Sequence, residues 1–285
     1  MLWRLFEWAA WALAGSPAAS ICPALRKAPD LQLVAVCDID PEALRYAWET
    51  YGIDEAHCFT DYHDLINCPD VDAVDISTPN NVHFEVAMAA AQAGKPYAVE
   101  KPITLNSEQA DALAQVTREK NVKNMVCFSY RFKAAARYAK DLIQRGMLGT
   151  IYHVDMQYYQ AWGLPFCQTP LVWRFQKDLT GSGALGDLGS HALDLVRFGH
   201  RDRSTPAWSA TRAPLFRSGR SWTALAWARW MWTTSPTTWR RWHGGIRATF
   251  RITRFGYGRG NYQTMEIYGS EGAIQYSWTT LPRYR

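Results

Sequence analysis

Two stretches of this 285-residue chain carry residue types that could do chemistry together: Ala98-Val99-Glu100-Lys101-Pro102 and Gly186-Asp187-Leu188-Gly189-Ser190-His191. The first ends an apolar, strand-like run with a Lys set before a Pro. The second sets an Asp and a His four residues apart, a spacing that on a helix places both on one face. A Lys can grip an alcohol oxygen, a His takes a hydroxyl proton near neutral pH, and an Asp one turn back can orient the hydroxyl. An alcohol held in that way has a carbon free to lose hydride, so Lys101, Asp187 and His191 together point to dehydrogenation. Taken singly, each has a plainer reading: a surface Lys in a loop, an N-capping Asp, a satisfied core His. An Asp/His metal site is a third option, but Asp-x-x-x-His alone supplies two ligands, with no H-x-x-x-H or Cys partner. No metal is expected.

These residues need elements to position them, and the sequence supplies a regular alternation. Leu31 to Asp38 alternates and then runs apolar, as a buried parallel strand does. Asp40-Pro41 gives an N-cap with Pro at the first helical position, opening a helix to about Tyr51. Val71–Thr78 is a second strand, His83–Ala93 a helix closed by Gly94, and Pro96–Glu100 a third strand. Asn106-Ser107 caps a helix over 108–120, and Asn124–Phe128 is a fourth strand. Such alternation predicts an α/β fold with a doubly wound parallel sheet, which binds ligands at the carboxyl ends of its strands. Asp38 stands at one such end, where a carboxylate accepts hydrogen bonds from adenosine ribose hydroxyls and repels a 2′-phosphate, favouring NAD over NADP. After a helix over 134–146 the rhythm changes. Thr150–Gln160, Gly244–Thr253 and Asn261–Tyr268 alternate as longer strands, predicting a C-terminal α+β domain with a largely antiparallel sheet. The expected division is 1–130 for the dinucleotide-binding domain and 131–285 for a substrate and oligomerisation domain.

On these motifs the chain resembles the Gfo/Idh/MocA family of NAD(P)-dependent sugar and polyol oxidoreductases, whose signatures are a Glu-Lys-Pro turn and a later Asp-x-x-x-His. The resemblance covers residues 23–198 and 244–278. It implies an N-terminal Rossmann-like domain, NAD as cofactor, a sugar or polyol substrate such as an inositol, and a cytoplasmic enzyme. It further implies that Lys101 is catalytic, that Glu100 helps fix the cofactor, and that Asp38, Ile39, Thr78, Asn80 and His83 lie against it. Arg131, in Tyr130-Arg131-Phe132, and Trp173-Arg174 fall on the family's substrate side. Family members pair through the open sheet face, so a homo-oligomer is expected if the reading frame is intact. Two other readings stay open: a non-catalytic dinucleotide-binding regulator, and an inactive product of a damaged gene. The particular sugar is not legible, because substrate loops vary independently of fold.

Hydrophobic content of 48% and charged content of 20% describe a globular protein. No apolar run approaches the ~20 residues a membrane span needs. The six Cys (22, 37, 58, 68, 127 and 167) form no C-x-x-C pair and no ligand-like spacing with His, which reads as thiols of a reducing compartment. The net charge of +5 arises in one place: from Arg203 to Thr264 there are eleven Arg, no Lys and no acid, leaving 20 basic against 26 acidic residues elsewhere. A nucleic-acid footprint would mix Lys with Arg across a folded face, so no nucleic-acid partner is expected.

The same segment is odd in another way. Of 14 Trp, seven fall in 208–242 and three in 1–11, and there the secondary-structure signals vanish. Trp and Met have one codon each, so Trp227-Ala228-Arg229-Trp230-Met231-Trp232-Thr233 can be back-translated and read from the third base. The Trp–Ala junction gives Gly, Trp–Met gives Asp, Met–Trp gives Val and Trp–Thr gives Asp. Suitable wobble bases complete Gly-Met-Gly-Lys-Val-Asp-Val-Asp-Asp, which is what family members resemble at this place. Residues 199–243 are therefore read as translated out of frame, residues 1–22 likewise, and Thr279–Arg285 as a third slip that truncates the C-terminus. No G-x-G-x-x-G occurs before residue 31, Gly15 being the only early Gly, so the first strand and its glycine-rich turn are read as corrupted. The alternatives are a signal peptide over 1–22 and an exposed aromatic binding face over 208–242.

Overall fold

The computed structural model describes residues 3–6, 27–164, 167–169, 174, 176–199, 240–241 and 247–280. The chain divides into two compact units, Met1–Cys127 and Phe128–Arg285.

The first unit is built on six strands: β1 (Trp3–Phe6), β2 (Leu33–Cys37), β3 (Cys58–Phe59), β4 (Ala73–Ile76), β5 (Tyr97–Val99) and β6 (Asn124–Val126). Their order in the sheet is β3-β2-β1-β4-β5-β6, with every pairing parallel, the doubly wound arrangement that the strand–helix rhythm predicts. Helices α1 (Pro41–Tyr51), α2 (Tyr62–Asn67), α3 (Asn80–Gln92) and α4 (Ser107–Glu119) connect the strands. Their ends follow local chemistry. Asp40 caps α1 by accepting from the Glu42 N–H at 2.9 Å, with Pro41 in the first turn. Gly52, at a φ of 68°, closes it with an N–H to the Trp48 carbonyl at 2.9 Å, a left-handed conformation that favours glycine. Asn106 caps α4 through the Gln109 N–H at 2.9 Å. Helix α3 begins at Asn80, ahead of the expected His83, because Pro79 already has its φ set at −58° and leads straight into the first turn. The four residues of β4 are all buried, and Val74, Ile76 and Val99 pack with Leu65, Ala87 and Leu113 from the helices.

One strand was not legible. The sequence shows no usable signal before Pro23, yet Trp3–Phe6 forms β1 at the centre of the sheet, paired with β2 and β4. Its Trp-Arg-Leu-Phe composition has the aromatic and aliphatic bulk that suits a strand, in a run too short for periodicity to register. Apart from β1, Gly199, the pair Arg240–Arg241 and Thr279–Thr280 at the end of β11, the residues on which the shifted-frame reading falls lie outside the described set.

The second unit carries β7 (Ile151–Gln160), β8 (Arg240–Arg241), β9 (Arg247–Thr253), β10 (Asn261–Gly269) and β11 (Ala273–Thr280), in the order β11-β10-β7-β9-β8. All pairings are antiparallel except β7 with β9. Strand periodicity builds the core. Met156 stands in register with Met265 and Phe250, and Met265 with Tyr276, so one row of the sheet is apolar across four strands. Helices α5 (Ala134–Gln144) and α6 (Ser190–Gly199) contribute Ala136, Ala192, Leu195 and Val196 to the same cluster.

Ahead of α6, Leu185–Gly189 forms a π-helical turn. The expected single helix through Asp187 and His191 is corrected here: Asp187 sits in the π turn and His191 in the first turn of α6. The glycines around Asp187 disfavour a regular α-helix, and π turns of this kind recur at functional sites. At Gly189 a Cβ would lie 2.8 Å from Leu185 Cδ1 and 3.1 Å from Ile252 Cδ1, so glycine lets the turn lie close against β9. Among the described residues no helix is long and apolar enough to cross a membrane.

Candidate active site

In the first unit the predicted cofactor residues collect at one edge of the sheet, because each follows the carboxyl end of a parallel strand. Asp38 follows β2, is 2% exposed, and accepts from the Asp40 N–H at 2.9 Å; its neighbour Ile39 is exposed. Thr78 and Asn80 follow β4 and are both buried, and the Thr78 hydroxyl has no hydrogen-bond partner among the described residues. Glu100 and Lys101 follow β5, with the Glu100 N–H bonded to the Ile76 carbonyl at 2.8 Å and the Lys101 N–H donating to Glu100 Oε2 at 3.1 Å. Asp75, within β4, is pushed up to about 7 by burial, and accepts from the Ser77 hydroxyl at 2.9 Å. A carboxylate, an orphaned buried hydroxyl and a Lys on one carboxyl edge fit a dinucleotide.

His83 has a distinct geometry. It is fully buried, and its two ring nitrogens lie 2.8 Å from the Pro102 carbonyl and 2.8 Å from the Thr78 carbonyl. Burial lowers its pKa below the ordinary 6.5. A neutral ring carries one N–H, so it donates to one of these carbonyls, the tautomer deciding which. The ring thus ties the loop after β4 to the turn after β5, and its contribution to the edge is to position Thr78 and Lys101. His83→Ala should lower unfolding free energy by about 2–4 kcal/mol, combining a core cavity with lost hydrogen bonding. The pH dependence has a definite sign. Because the folded pKa is depressed, this stability is present above the unfolded value near 6.5 and is lost as pH falls below it. Urea unfolding at pH 7.5 and pH 5.5 checks this: the variant should lose part of the acid-side decline, and an unchanged decline would remove His83 as its source.

In the second unit His191 is set in an aromatic cage. It is 8% exposed, with its ring centroid 4.4 Å from Tyr130, 5.9 Å from Phe128 and 6.4 Å from Tyr158. The Tyr130 and Tyr158 hydroxyls lie 2.5 Å apart. Gln160 Nε2 donates to the Tyr158 hydroxyl at 3.3 Å and to Asn261 Oδ1 at 3.1 Å, and Asn261 Nδ2 donates to the Tyr130 hydroxyl at 3.4 Å. Burial drives the Tyr158 phenol far up, and Tyr130 and Asp187 reinforce the shift. Asp187 and His191 are therefore brought to the same tyrosine, and Asp187 accepts from Arg254 Nη2 at 2.8 Å. Lys133 lies over the Trp278 and Tyr130 rings, 2.9 Å and 4.2 Å from their centroids, and burial lowers its pKa to about 8.

The predicted substrate residues fare differently. Arg131 forms a two-pronged pair with the buried Asp194, through Nε at 2.7 Å and through Nη2, so its guanidinium joins the Tyr130 segment to α6. Arg174 receives Arg254 Nη1 on its carbonyl at 3.2 Å. Trp173 lies outside the described residues. Sequence reasoning missed Tyr158, Gln160, Asn261 and Arg254. A signal existed for two of them: Tyr158 and Gln160 continue the same alternation as Val154 and Met156, so polar groups stand where the core face is due. It also missed a group of metal-ligand types at the opposite, amino edge of the first sheet. There His57, Cys68 and Asp70 converge, with His57 Nε2 3.1 Å from Asp70 Oδ2.

Comparison with known proteins finds two matches along the chain. Residues 14–128 match the oxidoreductase family with an NAD-binding Rossmann fold, and residues 136–275 match the GFO/IDH/MocA C-terminal domain. The chain is 34% identical over 256 residues to levoglucosan dehydrogenase of Pseudarthrobacter phenanthrenivorans, an overlap of 85% of this chain and 64% of that protein. It is 34% identical over 142 residues to inositol 2-dehydrogenase of Salmonella typhimurium, covering 49% of this chain and 42% of that protein. The chain thus spans less than two thirds of the length of either relative. Among solved structures, a levoglucosan dehydrogenase in complex with NADH and levoglucosan superposes with a TM-score of 0.77 at 30% identity, over 97% of this chain and 73% of that one.

Proposed function

Since this chain belongs to the Gfo/Idh/MocA oxidoreductase family, we propose that it is an NAD-dependent dehydrogenase of a sugar or polyol secondary alcohol. The observation that carries the reading is the pair of residue sets: Asp38, Thr78, Asn80, Glu100 and Lys101 on the carboxyl edge of one sheet, and in the other unit Asp187 with His191 near the buried Tyr158, whose hydroxyl meets that of the half-buried Tyr130. The first set would hold the dinucleotide, with Asp38 on the adenosine ribose and Glu100 and Lys101 at the nicotinamide side. The bound nicotinamide supplies a hydride acceptor. Lys101 donates to the substrate oxygen, Asp187 orients the hydroxyl, and His191 Nε2 or Nδ1 takes its proton, so the alcohol leaves as a ketone with hydride and proton accounted for. To do this His191 must act as the neutral ring, set within its cage of Phe128, Tyr130 and Tyr158. The complex of the similar dehydrogenase with NADH and levoglucosan supports a sugar as the substrate class.

NADH formation on a panel of sugars and polyols that includes levoglucosan and inositol tests the reading; nucleotide binding without turnover on any of them would favour a regulator instead. The reading extends to a cytoplasmic enzyme, supported by free thiols at all five described cysteines, and to a homo-oligomer, which light scattering would check.

Cofactor choice gives a separate prediction. Asp38→Ser removes both the ribose acceptor and the charge that repels a 2′-phosphate, while a Ser oxygen can still accept from the Asp40 N–H. The ratio of kcat/KM for NAD over NADP should fall by about 10-fold or more, equivalent to ~1.4 kcal/mol. A parent protein that already prefers NADP would show that Asp38 does not face the ribose.

A further inference from the structure

We propose that Arg254 is a positioning residue for Asp187, holding its carboxylate ionised and in one orientation; the inference deepens the dehydrogenase reading and rests on it. Arg254 directly follows β9 and is 5% exposed, although Arg almost never goes fully buried without a partner. Its fork makes two directed contacts. Nη2 donates to Asp187 Oδ2 at 2.8 Å, and Nη1 donates to the Arg174 carbonyl at 3.2 Å. The guanidinium carbon also stands 5.1 Å from the Trp162 ring centroid, within cation–π range. One side chain therefore ties together the end of β9, the π turn that carries Asp187, and the two residues Trp162 and Arg174.

The chemistry of the group explains why it suits this task. A guanidinium keeps its proton across any working pH, so Asp187 always has a positive charge in contact, which favours the carboxylate over the acid. A planar fork also fixes direction, which a Lys ammonium on a flexible stem does not. An Asp that must accept a hydrogen bond from an alcohol needs both properties. A regular helix would leave Asp187 to solvent or to a capping role; the π turn, closed on β9 through Gly189, brings it to Arg254. Among the described residues, the titratable groups shown to act on or with Asp187 are Arg254 from the end of β9 and Tyr158 from β7, with His191 in the first turn of the helix that follows.

The test uses Arg254→Met, Arg254→Lys and Asp187→Asn, singly and with Arg254→Met combined with Asp187→Asn, in the full chain. Rates are measured across pH 5–9 with NAD and with levoglucosan and inositol as the alcohol probes. Arg254→Met should lower kcat by about 10-fold or more with KM changed less than about threefold, since misplacement of a group costs turnover rather than binding. The acid limb of the pH profile should move up by about one unit, because Asp187 then protonates more easily. That upward move should vanish in the Asp187→Asn background. Arg254→Lys, or added guanidinium ion with Arg254→Met, should recover part of the loss. A kcat within about twofold of the parent and an unmoved acid limb would overturn the proposal. If the parent turns over neither probe, the weak NADH binding expected of this chain accounts for that as well as a failed functional reading does, and urea unfolding of the parent, Arg254→Met, Asp187→Asn and the double variant decides the pairing. Coupling of about fivefold or more in the unfolding constant supports it, and independence of the two substitutions overturns it.

Discussion

Lys101→Ala and His191→Ala are each expected to lower turnover on a sugar or polyol by about 100-fold or more, the scale of acid–base groups. The two losses differ in kind. Lys101 stands at the end of β5 beside Glu100, on the edge proposed to hold the nucleotide, so its removal should also weaken NADH binding. His191 belongs to the other unit, 8% exposed within its cage of Phe128, Tyr130 and Tyr158, so its removal should leave NADH affinity within about twofold. Truncation at His191 opens a cavity beside Tyr130, which His191→Gln limits by keeping most of the volume. The measurement is steady-state kcat and KM, with nucleotide titration in parallel, on a chain whose reading frame is restored over 1–22 and 199–243. Full activity in either variant would remove the mechanism, and equal loss of NADH affinity in both would show that the two residues act on the cofactor alone.

The legibility of these residues differed with the range of the interaction that defines them. Local chemistry was readable. Asp40, Pro41 and Gly52 mark the ends of α1, Asn106 caps α4, and the apolar runs around Val74 and Val99 become buried parallel strands. Placement of Asp38, Thr78 and Lys101 followed at once, because a parallel sheet puts every strand's carboxyl end on one edge. What depends on distant partners was not readable. Arg254 and Asp187 are 67 residues apart, and Arg131 and Asp194 are 63 apart, and no periodicity or spacing links such pairs. Arg131 is expected on the substrate side only because Tyr130-Arg131-Phe132 resembles the family motif, and that resemblance does not reveal that its fork is taken up by Asp194. His83 was read from its place in a ligand-binding loop, while its two carbonyl contacts follow from the loop after β4 and the turn after β5 lying side by side. The π turn escaped for a different reason. A four-residue Asp–His spacing implies an α-helix only where the backbone is regular, and glycines at 181, 183, 186 and 189 leave it free to widen.

The 285-residue chain itself should bind NADH at least about 100-fold more weakly than its frame-restored version, a difference of ~2.7 kcal/mol. In a doubly wound sheet the turn after the central strand presents backbone N–H groups to the pyrophosphate, and glycines there let the backbone come close. Here β1 holds the central place between β2 and β4, but it is followed by Glu7-Trp8-Ala9-Ala10, with Gly15 the only glycine before residue 31. A sequence without glycine at this point denies the pyrophosphate the close backbone approach that the family's glycine-rich turn provides. Asp38, Thr78 and Lys101 contact other parts of the nucleotide, so their presence does not replace this anchor. A second effect acts through the other unit. Seven Trp and a run of Arg without acids occupy 203–242, where a family member carries alternating strand sequence, and a sequence so rich in aromatic bulk raises the risk of aggregation. Low soluble yield is therefore expected together with weak binding. Titration of the purified chain with NADH, followed by nucleotide fluorescence, separates the two effects. Restoring 1–22 alone should recover affinity in the soluble fraction, and restoring 199–243 alone should recover yield without affinity. Tight, saturable binding by the unaltered chain would show that the segment after β1 approaches the pyrophosphate by another route and that the shifted-frame reading of it is wrong.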